Sequence, residues 1–247
     1  MTRNLKITIA FCGTAYHGFQ VQKNAFTVCE AFQDAVENVM GIRYDVKGCS
    51  RTDTGVHAKM YCMSMKCESA IPCDKLLLAL NSYLPDDIAV LAVENVRDDF
   101  HARYSCTGKE YVYTILNSRV KDPFSPRLSY RFGYNLDVDM LAREAGCFVG
   151  THDFAAFQSA GSDIDDTTRT IYSFNVTREG DCIHFTVRGD GFLYNMVRIM
   201  VGTLVFIGMG RIDPGTIPEI IASRDRSRAG KTMPAQGLCL NRVFYGD

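Results

Sequence analysis

Catalysis needs ionisable side chains held on a rigid frame, and three segments of this 247-residue sequence have the right composition for it. The first, GCSRTDTGVHA at 48–58, sets Asp53 between two threonines, with Arg51 two residues before it and His57 four after. A carboxylate in such a polar turn suits nucleophilic or general-base work, although the same residues also form Asx-turns in which the Asp only bonds to the backbone. The second, FHARYSCTGKEYVY at 100–113, alternates aromatic rings with cations, a composition that suits stacking on bases and contacting phosphates. Arg103 and Lys109 are its phosphate candidates, whereas Tyr111 and Tyr113 share one strand face and would equally make an ordinary packing pair. The third, GDGFLYNMVRIMVGT at 189–203, places Arg198 in an apolar helix, as either a snorkelling surface cation or a buried partner for a carboxylate. Further on, SRDRSRAGK at 223–231 sets four cations against one Asp. Arg224, Arg226 and Arg228 there either contact phosphate or are simply solvated.

Metal and thiol chemistry find less support. The ten cysteines include no CxxC, and the nearest cluster, Cys62, Cys67 and Cys73, has no histidine at zinc-like spacing. Reduced, buried thiols and no metal are expected. His17, His57, His101, His152 and His184 are scattered, with no two at helical i, i+4 spacing, and read as caps and polar tips. His152 and Asp153, after Thr151, read as a helix start.

The composition is that of a folded protein: 47% hydrophobic and 22% charged, with 27 basic against 28 acidic side chains. A net charge of −1 argues against a protein that coats nucleic acid non-specifically, so any RNA-binding surface must come from clustering in three dimensions. The longest apolar run, from Ile199 to Gly210, is too short to span a bilayer. The N-terminal stretch alternates like a strand and lacks a cleavage site, which points to a cytoplasmic protein without a membrane partner.

The elements that must position these residues follow from periodicity. Leu5, Ile7, Ile9 and Phe11 alternate with polar or small residues, predicting a strand. Thr27 and Glu30 form a capping box before a helix that ends at Gly41. Strands at 43–48 and 59–67, a helix opened by Pro72 and Asp74, and a strand at 88–96 complete a β-α-β-β-α-β order, the ferredoxin-like arrangement. The remainder repeats it: strand 109–116, helix 138–148, strands 168–177 and 182–188, a long helix 192–206, a short helix 217–222 and a strand 238–245. Residues 117–135 and 158–169 read as exposed connections. The predicted fold is α+β, with ferredoxin-like halves at 1–98 and 99–247 forming a shared central antiparallel sheet with helices packed on it.

Taken together, GCSRTDTGVHA, FHARYSCTGKEYVY, GTHDFAAF at 150–157, GFLYNMVRIMVGTL and AGKTMPAQGLCLNRVFY resemble the bacterial tRNA pseudouridine synthase A (TruA) family, in the family's own order. FCGTAYHGFQ at 11–20 is similar to the family's opening. The resemblance implies that Asp53 is the catalytic aspartate, Tyr111 the active-site tyrosine over the target uracil, and Arg198 the arginine that pairs with that aspartate. By the same matching, Leu240 is the apolar residue beside the base, and Arg51 helps to hold the flipped nucleotide. It also implies two ferredoxin-like halves around a continuous sheet, a homodimer gripping tRNA, and isomerisation of uridines at positions 38 to 40 of the anticodon arm without cofactor or metal. Thr54 stands where many members have Ala or Ser, and the charge is less basic than the family's task would suggest. Asp53 would act as nucleophile at C1′ or as base at C2′ on a glycal route. The alternative from another class is a non-catalytic RNA-binding protein of ferredoxin-like fold.

Overall fold

A computed structural model describes residues 2–124, 127–162 and 164–246, so Ser125, Pro126 and Asp163 of the two long connections lie outside the described residues. The chain forms two compact units, Met1–Thr107 with Leu240–Asp247, and Gly108–Cys239. This differs from a division at 98/99 for a definable reason. Buried Asn4 donates through Nδ2 to the carbonyls of Arg97 and Phe100, both at 2.9 Å. The Ala102 N–H donates to Ser64 Oγ at 3.2 Å, and the Ala102 carbonyl accepts from the Tyr245 hydroxyl at 2.8 Å. The segment 97–105 is thereby bonded to the first unit, as is the end of the chain.

In the first unit, β1 (Arg3–Phe11), α1 (Val28–Met40), β2 (Val46–Gly48), β3 (His57–Cys67), α2 (Cys73–Tyr83) and β4 (Ile88–Val96) follow in the predicted order. Their antiparallel pairing, β4-β1-β3-β2, is the ferredoxin-like sheet. Leu5, Ile7 and Ile9 are fully buried, and Val28, Ala31, Phe32, Ala35 and Val36 form the apolar face of α1. Thr27 Oγ accepts the Glu30 N–H, and Gly41 closes the helix at φ +73°, where a side chain would be strained.

The second unit has β5 (Cys106–Leu116), α3 (Val138–Gly146), β8 (Thr168–Glu179), β9 (Cys182–Gly189) and α4 (Met196–Gly208), the β-α-β-β-α order again. Two short strands are added: β6 (Tyr130–Arg131), parallel to β5, and β7 (Gly150–Asp153), antiparallel to β8. The pairing runs β5-β9-β8-β7. A helix α5 (Ile217–Ser223) follows, and β10 (Leu238–Tyr245) ends the chain. The expected helix start at 151–153 is instead β7, because Thr151 to Asp153 pair with Thr168 to Thr170. The capping role moves one step on: Asp153 Oδ1 accepts the Ala155 N–H and opens a 3-10 turn at Ala155–Phe157. The long helix begins at Met196 rather than Phe192, because Asn195 takes a left-handed conformation at φ 61°. Among the described residues, no helix is long and apolar enough to cross a membrane.

Helix α4 is buried almost all round, and it gains this by backbone contact. A Cβ on Gly202 would lie 1.8 Å from the Lys231 carbonyl oxygen, and Gly230 donates its N–H to Thr203 Oγ1 at 2.9 Å. Alanine in a helix interior is normally preferred to glycine by about 1 kcal/mol. At Gly202 the clash is with backbone, which cannot swing aside, so the sign reverses. Gly202→Ala is expected to lower stability by roughly 1–3 kcal/mol, seen as a lower urea midpoint with an unchanged m-value. A raised midpoint would show that segment 229–233 does not press on the helix.

Candidate active site

Asp53 sits in a turn assembled by residues far from it in sequence. Its backbone carbonyl accepts the Val56 N–H at 3.1 Å, and Gly55 supplies the positive φ of +79° that closes the turn. The floor comes from the segment 13–18. The Gly55 N–H donates to the Tyr16 carbonyl at 3.2 Å, and the Gly13 N–H donates to Nδ1 of buried His57 at 3.0 Å. A Cβ on Gly13 would lie 1.9 Å from the Val56 oxygen, and one on Gly18 would lie 2.2 Å from the Thr52 oxygen. Only glycine lets the two backbones meet so closely. Tyr16 is itself fixed by a hydrogen bond from its hydroxyl to Asp87. Burial, reinforced by Asp87, holds that phenol well above its ordinary range.

The other end of the loop is held by buried Tyr61. Its hydroxyl donates to the Ser50 carbonyl, and its ring stacks on Phe19 at 4.2 Å between centroids. The Asp53 carboxylate thus emerges, half-buried, from a loop fastened at both ends. His57, flagged as a third ionisable group, is one of the fasteners. Arg51 is exposed, and with Ser50 it borders a cavity of about 380 Å³ in the first unit. Arg103 lines the same cavity, so two of the expected RNA contacts are brought together. Leu240 is fully buried, on β10.

Tyr111, Arg198 and Lys109 belong to the second unit. Tyr111 and Tyr113 both point into buried surroundings from β5, but they are used differently. The Tyr113 hydroxyl donates to the Pro234 carbonyl at 2.8 Å. Burial pushes its pKa far above the phenol range, with Arg198 pulling the other way, so it remains a neutral structural donor. Tyr111 meets Phe192 edge to face at 5.2 Å. Arg198 does not snorkel. Its Nε donates to the Met233 carbonyl at 2.6 Å, Nη1 donates to Asn195 Oδ1, and the Met233 N–H returns a bond to the Arg198 carbonyl at 3.2 Å. A guanidinium fixed in this way is a ready partner for a carboxylate or phosphate. Lys109 is half-buried on β5, opposite Gly189.

The arginines of 223–231 are engaged internally. Arg224 Nε pairs with Asp153 at 2.8 Å, and Arg228 pairs with Glu219 at 3.4 Å. Arg226 is partly buried, donating to the Ala229 carbonyl and Thr232 Oγ1, and burial weakens its hold on its proton. The Thr167 hydroxyl and the Ala155 N–H, with Arg224 beside them, keep the Asp153 carboxyl below its usual range. The ten cysteines are free thiols, four of them buried, and no His/Cys/Asp/Glu group among the described residues could hold a metal ion. Sequence reasoning missed Gly13, Tyr16 and Gly18 as the seat of the aspartate loop, and Asn195 with the 233–234 carbonyls as the seat of Arg198. Two glycines flanking a tyrosine between a strand and a helix were the available signal, but nothing local says which loop they receive.

The sequence comparisons agree with one another. Residues 7–105 and 145–246 match the family model described as tRNA pseudouridine synthase. The tRNA pseudouridine synthase A of Clostridium acetobutylicum is 44% identical over 243 residues, covering 98% of this chain and 100% of that protein. Proteins of the same name from Acetivibrio thermocellus and Ruminiclostridium cellulolyticum are each 46% identical over 98% of this chain and 100% of their own. Matched on both sides of its sequence by the family model and along its full length by these relatives, the chain belongs to the tRNA pseudouridine synthase family.

Proposed function

We propose that the protein isomerises uridine to pseudouridine in the anticodon arm of tRNA, at positions 38 to 40, with Asp53 as the catalytic carboxylate. The observation that carries the reading is the aspartate turn: a carboxylate on a loop fastened by Gly13, Gly18 and Tyr61, in a chain of this family. A loop built only to reverse the chain needs no such seat. In the reaction N1–C1′ breaks, the base turns, C5 bonds to C1′, C5 gives up its proton and N1 gains one. Atoms and electrons balance within the substrate, so the isomerisation calls for no redox cofactor.

In this reading Asp53 attacks C1′ or removes the C2′ proton, and the Arg198 guanidinium keeps it ionised and oriented. Tyr111 stacks on the uracil, and its hydroxyl takes the C5 proton. Leu240 offers the base an apolar neighbour, and Arg51 holds the flipped nucleotide. Arg103 and Lys109 contact phosphates, with a smaller share for Arg224, Arg226 and Arg228, whose donors already have internal acceptors. The protein works in the cytoplasm as a homodimer on tRNA.

Asp53→Asn keeps the size of the side chain and removes the charge and the nucleophile. Turnover is expected to fall by roughly 1000-fold or more with little change in tRNA affinity, in line with the loss of a covalent or basic catalyst. Activity within tenfold of wild type would remove Asp53 from the chemistry, and this variant also separates an enzyme from a mere RNA-binding protein. Tyr111→Phe keeps the ring and deletes the hydroxyl. Tritium release from tRNA labelled at uridine C5 should slow while binding on the same samples is unchanged. Release at the wild-type rate would leave Tyr111 a stacking role only, and a loss of binding equal to the loss of rate would make it a positioning residue.

A further inference from the structure

The cavity beside the aspartate loop has an aromatic side, His101 and Tyr104, that the reaction at the target uridine does not use. Asp53 is not among its lining residues, although Ser50 and Arg51 are, so it adjoins the catalytic loop without containing the carboxylate. Its volume of about 380 Å³ falls in the range of clefts that take small ligands. Four charged side chains, Asp45, Lys47, Arg51 and Arg103, and the imidazole of His101 line it. Lys47 is neutralised by Asp45 at 2.6 Å. Arg51 and Arg103 are exposed, and among the described residues neither has an acidic partner within salt-bridge distance. A chain of net charge −1 thus keeps two unneutralised guanidinium groups at one opening.

The aromatic side of the cavity is equally specific. Tyr104 is 80% exposed, an unusual state for a tyrosine in a soluble protein. One face of its ring is backed by His101, with centroids 4.4 Å apart and planes inclined at 36°. The pair is rigid. His101 Nδ1 accepts the N–H groups of Arg103 and Tyr104 at 3.1 and 3.4 Å, the His101 N–H donates to Ser105 Oγ, and the Ser105 N–H donates to the His101 carbonyl. Ala102 in the middle of this turn is fully buried and is bonded to Ser64 and Tyr245. A preordered aromatic ring loses little entropy on binding, and an exposed ring flanked by cations is the arrangement that stacks an unpaired base while its phosphates are neutralised.

We propose that this cavity is a second nucleotide subsite, which holds an unpaired RNA base other than the target uridine on the open face of Tyr104, with Arg103 on the adjoining phosphate and Arg51 remaining with the flipped nucleotide. The inference rests on the proposed reading of an RNA substrate and extends it to a neighbouring nucleotide.

The test uses the full chain and an RNA stem-loop with an anticodon-arm sequence, carrying 2-aminopurine at each loop position in turn. Stacking on Tyr104 should quench the fluorophore at one position besides the target. Tyr104→Ala should abolish that quenching and weaken binding about tenfold, within the range of a single base–aromatic stack. Its turnover at saturating RNA should stay within twofold of wild type, because the ring is exposed and the cavity it lines does not include Asp53. Tyr104→Phe, which keeps the ring, should behave as wild type in all three measurements. Arg103→Gln should weaken binding and reduce the slope of log Kd against log salt by about one. Unchanged binding and quenching in Tyr104→Ala would overturn the proposal, as would a loss of turnover without loss of affinity. If wild type formed no pseudouridine, the functional reading would fail, while the quenching and affinity measurements would still decide the subsite.

Discussion

The candidate site depends on a contact between backbones. Where Gly13 and Gly18 meet the carbonyls of Val56 and Thr52, a single methyl group has no room, so the loop carrying Asp53 rests directly on the main chain of the opening segment. Hydrogen bonds from Gly13 to His57 and from Gly55 to the Tyr16 carbonyl then fix its register. Main chain placed against main chain moves less than side chain against side chain, because no rotamer can absorb a displacement. In the proposed reading the carboxylate must reach the substrate in one geometry, and this is the relevant kind of rigidity.

The second unit uses the same device for its cation. Gly202 and Gly230 let the segment 229–233 lie on α4, and this brings the Met233 carbonyl to the Arg198 guanidinium. The reciprocal bond from the Met233 N–H to the Arg198 carbonyl makes the contact a two-point clamp. Asn195, in its left-handed conformation, starts the helix, orients Arg198 through Oδ1 and ties itself to Ser159 through Nδ2. A glycine-lined groove and a strained asparagine are costly features for a helix, and here both serve the placement of one guanidinium.

Charge is distributed economically. Most basic side chains with a structural acidic or carbonyl neighbour are committed to it, including Arg43 with Asp34 and Glu37, Lys6 with Glu94, and the arginines of 223–231. In a protein of nearly zero net charge, attraction for a polyanion must come from cations left unneutralised, and Arg51 and Arg103 meet that condition at one cavity. Long-range attraction would be weak in such a molecule, so close contacts must supply more of the discrimination.

Much of the architecture was legible in the sequence, because it is written in short-range terms. Alternation at Leu5, Ile7 and Ile9, the Thr27 cap with its Gly41 stop, and the run Ile88–Val96 each depend on neighbours within a few residues, and each forms as expected. The family was legible for another reason: the motifs that carry Asp53, Tyr111 and Arg198 match it in type and order. What only the tertiary structure decided involves partners far apart in the chain. The Tyr113 hydroxyl is committed to Pro234, 121 residues away, which makes it structural beside Tyr111. His57 serves Gly13, 44 residues away, and Arg198 is held by Met233, 35 residues away. The chain's division after Thr107 likewise follows from Asn4, Ser64 and Tyr245 gripping the segment 97–105. Periodicity records which face of an element is buried, but the packing of distant segments selects which polar atom each buried side chain meets, and that selection decides which of them become fasteners.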